Sequence, residues 1–218
     1  MPIFFTIITY EILLNFRNLG KILANFLFFI ISFSLCFLIA QNNETNNNFY
    51  HLSLIWISLI FCLVFSSVEF LKKDFDDGSI EQLIISLENF EVFILAKMLG
   101  NWISSALPII VITPLLGKII NLNQTEINQF LILIILASLI VNFICTFCGS
   151  LSVLGNSAPM IAVIAMPLII PILLIAFSGN LNSSENFQSS LRILIGLVVF
   201  IGSISVFATS KIVKIAAE

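Results

Sequence analysis

From residue 127 to residue 184 the chain carries no Asp, Glu, Lys or Arg. A soluble domain, about one-quarter charged, does not leave so long a stretch bare. Shorter uncharged runs recur at 22–40, 52–68, 98–117 and 193–210. Lipid offers no hydrogen bonds, so backbone within it must be paired inside a helix or a closed barrel. Barrel strands alternate apolar and polar residues, and these runs do not. A helical span needs about 20 mostly apolar residues at about 1.5 Å each. Across 218 residues, 59% are hydrophobic and 10% charged, far too apolar for one soluble core. The fold class that follows is all-α and polytopic.

We read six spans, at about 22–40, 52–71, 94–117, 129–149, 159–178 and 192–210. Gly149, Gly155 and Pro159 divide the long uncharged stretch into two of them. No cleavable leader is expected, because the first basic residue is Arg17 and no small-x-small site follows the first apolar run. Residues 3–19 mix Phe, Ile and Leu with Thr6, Thr9, Glu11, Asn15 and Arg17, and read as an interfacial helix. An even number of spans puts both termini on one side. That side would hold Arg17, Lys21, Lys72, Lys73, Lys97, Lys211 and Lys214, and the other only Lys118 and Arg192. The bias sets both termini inside, in the cytoplasm or, for a mitochondrial chain, the matrix. Asn-rich loops at 41–51, 121–128 and 179–191 then face outward. A net charge of −3 offers no basic face for nucleic acid.

The segment between the second and third spans is the most informative. Asp74 to Asp77-Gly78 predicts a turn. Ser79 with Gln82 three residues on predicts a capping box. Ile80, Leu83, Ile84 and Leu87 then fall on one helical face, giving a short amphipathic helix over about 79–88. Such a helix either docks into a partner's groove or rests on the lipid surface. Lipid-surface helices favour Lys and Arg, and this one is acidic. Lys97 and Trp102 at the start of span three read as a snorkelling cation and an aromatic-belt residue. Glu69 ends span two, within reach of Lys72 or Lys73. Pro108 and Pro114 interrupt span three, and Pro167 and Pro171 span five, as kinks or hinges.

Cys145-x-x-Cys148 lies inside span four, where a reactive thiolate has no solvent support. We read it, with Cys36 and Cys62, as small apolar filling. His51 is the only histidine and cannot build a zinc site or a catalytic dyad alone. No G-x-x-x-x-G-K-[ST] is present, so any ATP is bound by another chain.

Over its whole length the chain resembles the haem exporter permease family of cytochrome c maturation, CcmB, among the ABC transporter membrane subunits. The resemblance runs through Glu11, Phe16-Arg17, Trp56 and the block Asp74, Asp77, Gly78, Glu81, Gln82 and Leu83. It continues through Lys97, Trp102, Leu107-Pro108, Pro114, Pro167, Pro171 and Phe207-Ala208. Two stretches differ from the family pattern. Ser86-Leu87-Glu88-Asn89 replaces prolines, and Gly155-Asn156-Ser157-Ala158 lacks basic residues.

The resemblance implies a single permease domain over 1–218 in a bacterial or mitochondrial inner membrane. The expected partners are an ABC ATPase dimer, a second copy of the chain and small haem-handling membrane subunits. It makes 79–88 the coupling helix, with Asp74, Asp77, Gly78, Ser79, Glu81, Gln82, Leu83 and Leu87 as ATPase-coupling residues. Glu69, Lys97, Trp102 and the four span prolines become bundle candidates. Haem is implied as cargo rather than as a bound cofactor, and no catalysis or metal is expected of this chain. Rival readings are a permease for a drug or polysaccharide, a membrane scaffold and an intramembrane enzyme. A lone His51 without a paired acid or nucleophile argues against the enzyme.

Overall fold

Each of the six expected spans is helical over most of its described residues, and the second ends its helix at Ser67. A computed structural model describes residues 2–17, 19–41, 48–67, 71, 74–75, 77–87, 89–120, 122–154, 159–179 and 184–217. The helices are α1 (Pro2–Arg17), α2 (Leu19–Gln41), α3 (Asn48–Ser67), α4 (Ser79–Ser86), α5 (Phe90–Ile119), α6 (Gln124–Leu154), α7 (Pro159–Ser178) and α8 (Ser184–Ala216). No strand occurs among the described residues.

Three helices, Phe90–Ile119, Gln124–Leu151 and Glu185–Ala216, are long and apolar enough to cross a membrane, counting described residues alone. The stretches Leu52–Val64 and Val163–Ser178 are shorter apolar helices. The pair α1–α2 is bent by 70°. Three predicted spans are outgrown by their helices, and α6 overruns the predicted 129–149 at both ends. α5 starts at Phe90 because its first turns cover a core of their own, and α8 starts at Ser184 with the exposed polar residues Glu185, Asn186 and Gln188.

The four prolines, read as kinks or hinges, lie inside their helices: α5 runs on through Pro108 and Pro114, and α7 through Pro167 and Pro171. Each proline removes one backbone bond, and neighbouring turns hold the helix across the gap.

α6 is the hub. It packs against α3, α5, α7 and α8, and 67% of its apolar stretch is buried, against 33% for α5 and 22% for α8. Small residues allow this crowding: Ala137, Ser138, Thr146 and Ser150 are all fully buried. Cys145 and Cys148 fill space in the same helix, buried and unpaired. A main core centres on α6 and α3. A second, smaller core gathers Leu71, Ile80, Phe90, Ile94, Met98 and Val213. That second core marks one end of the bundle, where α1, α4, the start of α5 and the finish of α8 converge.

Candidate functional site

The site is built on the acidic turn ahead of α4. Leu71 is fully buried, and its carbonyl accepts from the Phe75 N–H at 3.0 Å. The Gly78 N–H donates to the Phe75 carbonyl at 3.0 Å, which closes the turn. Gly78 stands at φ 67°, ψ 9°, the left-handed region that glycine alone enters without a steric penalty. The turn predicted at Asp77-Gly78 is therefore present. The predicted capping box is not. Gly78 takes the N-cap position without a side-chain cap, and the Ser79 hydroxyl reaches back to the Asp74 carbonyl at 2.9 Å.

The apolar face of α4 was expected to be free for a partner, and the structure corrects this. Ile80 is 1% exposed, and Leu83, Ile84 and Leu87 pack against the second core of the same chain. Burying that face stabilises the bundle end, at roughly 1.5–3 kcal/mol for each fully buried large apolar side chain. The outward face is Glu81, Gln82, Ile85 and Ser86, with Asp77 on the turn before it. Ile85 is 87% exposed, the most exposed large apolar side chain among the described residues.

Lys97 does not snorkel. Its side chain is buried, and its ammonium sits 2.6 Å from Asp74 Oδ2 and 3.0 Å from Glu11 Oε1. α1 reaches this point because α5 has a glycine there. A Cβ on Gly100 would stand 2.8 Å from Glu11 Cγ, closer than real contacts allow. One buried cation thus joins α1, the acidic turn and α5. Buried charges are tolerated when they are paired in this way.

Trp102 is likewise not a belt residue. It is half-buried against the main core, and its Nε1 donates to Ser138 Oγ at 3.1 Å. On the residue before it, Asn101 Nδ2 donates to Asn142 Oδ1 at 3.1 Å, and Asn142 Nδ2 donates to the Met98 carbonyl at 3.0 Å. Both asparagines are buried. They form a polar clamp between α5 and α6 that the sequence reading missed. The available signal was an uncharged span carrying Asn at all, since lipid tolerates no unpaired amide. A further link was also missed: Glu91 Oε1 accepts from Ser210 Oγ at 3.1 Å and Lys214 Nζ at 3.2 Å, tying α5 to α8.

Other residues singled out by sequence do not join this site. Pro108 and Pro114 are half-buried in α5, and Pro167 and Pro171 are exposed on α7. Trp56 is buried edge-on to Phe130 with ring centroids 5.7 Å apart, inside the main core. Glu69, Lys72, Lys73 and the loop 155–158 lie outside the described residues, as do the side chains of His51 and Cys36.

A family model described as "CcmB protein" matches residues 2–216. The chain belongs to the CcmB family. It is 24% identical over 219 residues to "Heme exporter protein B" of Haemophilus influenzae, covering 99% of each chain. It is 28% identical to the protein of the same name from Pseudomonas aeruginosa over 132 residues, 60% of this chain and 59% of that one. A ccmB-like mitochondrial protein of cytochrome c biogenesis from Marchantia polymorpha is 30% identical over 132 residues, 61% of this chain and 46% of that one. Among the residues that carried the resemblance, Glu11, Asp74 and Lys97 form the ion triad, and Glu81 and Gln82 face outward on α4.

Proposed function

We propose that this chain is the membrane permease subunit of an ABC-type complex that supports haem delivery for the maturation of c-type cytochromes. The observation that carries this reading is the family match from residue 2 to residue 216, with α4 intact inside it. α4 presents Glu81, Gln82 and Ile85 on a short helix held against the bundle. Such a helix suits a groove on a soluble ATPase: Ile85 as the apolar anchor, Glu81 and Gln82 as its polar rim. ATP hydrolysis then belongs to that partner, two copies of it serving two copies of this chain. Haem is cargo, handled together with small membrane subunits.

The six apolar helices α2, α3 and α5–α8 cross the inner membrane, with α1 on its inner surface and both termini in the cytoplasm. α3 and α7 have 20 residues each, about 30 Å of helix, which matches the hydrocarbon thickness.

The test is purification of the native complex under mild conditions with identification of every subunit. An ABC ATPase and haem-handling membrane subunits are expected. Recovery of this chain without any ATPase, in cells actively maturing c-type cytochromes, would overturn the reading.

A further inference from the structure

Lys97 is held by two carboxylates, and the two are not equivalent. The Glu11 side chain is 14% exposed, on a helix seated against Gly100. The Asp74 side chain is 30% exposed, on a turn that leads directly into α4. The Asp74 carbonyl also holds Ser79, the first residue of α4. Any displacement of the start of α4 therefore pulls on the Asp74–Lys97 contact.

We propose that Lys97 is a positioning residue that latches α4 to α5, with Glu11 as the standing partner and Asp74 as the arm that lets go. A buried ion pair is ordinarily hard to open, because opening strands a charge away from water. Here opening strands nothing. When Asp74 leaves, its carboxylate moves from partial burial into water, and Lys97 keeps Glu11 at 3.0 Å. Gly78 gives the turn room to follow, since no described residue lies within 4 Å of where its Cβ would be. The second carboxylate thus makes the contact reversible. The proposal rests on the permease reading only for what pulls on α4.

Hydrogen exchange on the full chain in lipid nanodiscs, without any ATPase, tests the latch by itself. Asp74→Asn keeps the side-chain shape and removes the charge. It should speed exchange of the α4 amides at least tenfold and leave residues 5–14 of α1 within twofold of wild type. Glu11→Gln should do the reverse. Lys97→Arg and Asp74→Glu should restore most of the protection, which a purely steric role would not allow. If Asp74→Asn leaves α4 within twofold of wild type, or loosens α1 as much as α4, the latch is overturned.

The second arm adds ATP to the purified native complex. The latch and the permease reading together predict faster exchange in α4 on ATP binding, and no such change in the Asp74→Asn complex. Correct segment-specific exchange in the isolated chain, with no response of α4 to ATP in the complex, would uphold the latch and overturn the permease reading.

Discussion

Asn142 makes two hydrogen bonds to α5, one to the Asn101 side chain and one to the Met98 carbonyl. Interhelical hydrogen bonds in membranes contribute about 0.6 kcal/mol on average and up to about 2. We therefore expect Asn142→Leu to destabilise the bundle by about 1–3 kcal/mol, read as a lowered thermal midpoint in mild detergent. An unchanged midpoint would mean that the clamp contributes nothing. At this scale the sequence was legible only in part. It marked Lys97 and Trp102 as the charged and aromatic residues opening span three, and took them for interfacial anchors. Their partners, Glu11, Asp74 and Ser138, sit on other elements. Helical periodicity ranks faces within one element and is silent about which remote carboxylate arrives at a given lysine.

For α4 the spacing of Ile80, Leu83, Ile84 and Leu87 correctly defines an apolar face. It does not say whether a partner or the chain itself covers that face. The answer separates two substitutions that would otherwise look alike. Ile85→Asp alters the exposed side and should release the proposed ATPase partner while the bundle stays folded. Ile80→Asp places a charge in a site that is 1% exposed and should cost about 3 kcal/mol or more, lowering the amount of folded protein. Co-purification of the ATPase, normalised to folded chain, distinguishes them. Retention of the ATPase by Ile85→Asp at wild-type level would remove α4 from the contact. Capping was also legible in kind and misassigned in place. The S-x-x-Q at Ser79 forms no box, whereas Glu126 accepts the Asn123 N–H at 2.9 Å, the reciprocal half of a box opening α6. A hydroxyl free to choose bonded the Asp74 carbonyl, because Gly78 had already turned the chain.

Across the whole molecule, the uncharged runs, with Gly149, Gly155 and Pro159 dividing the longest of them, located the apolar helices α2, α3 and α5–α8. The order in which they pack, with α6 as hub, was not legible, because each face is apolar and the choice depends on small residues meeting across helices. Two expectations belong here. Reporter fusions after Asn46 and after Asn182 should both read as outside, given the Lys and Arg bias toward the opposite side; an inside signal from either would end the six-span topology. The isolated chain should carry no tightly bound haem, since axial ligation needs His, Met, Cys or Tyr aimed into a pocket. Stoichiometric haem that His51→Ala removes would contradict this. The α5–α6 clamp also bears on how the protein is made. Only residues 120–123 separate the two helices, so α6 emerges from the ribosome directly behind α5. Alone in lipid, Asn101 or Asn142 would hold the amide of an unpartnered helix against hydrocarbon; together each shields the other. The pair is thus suited to enter the bilayer as one hairpin.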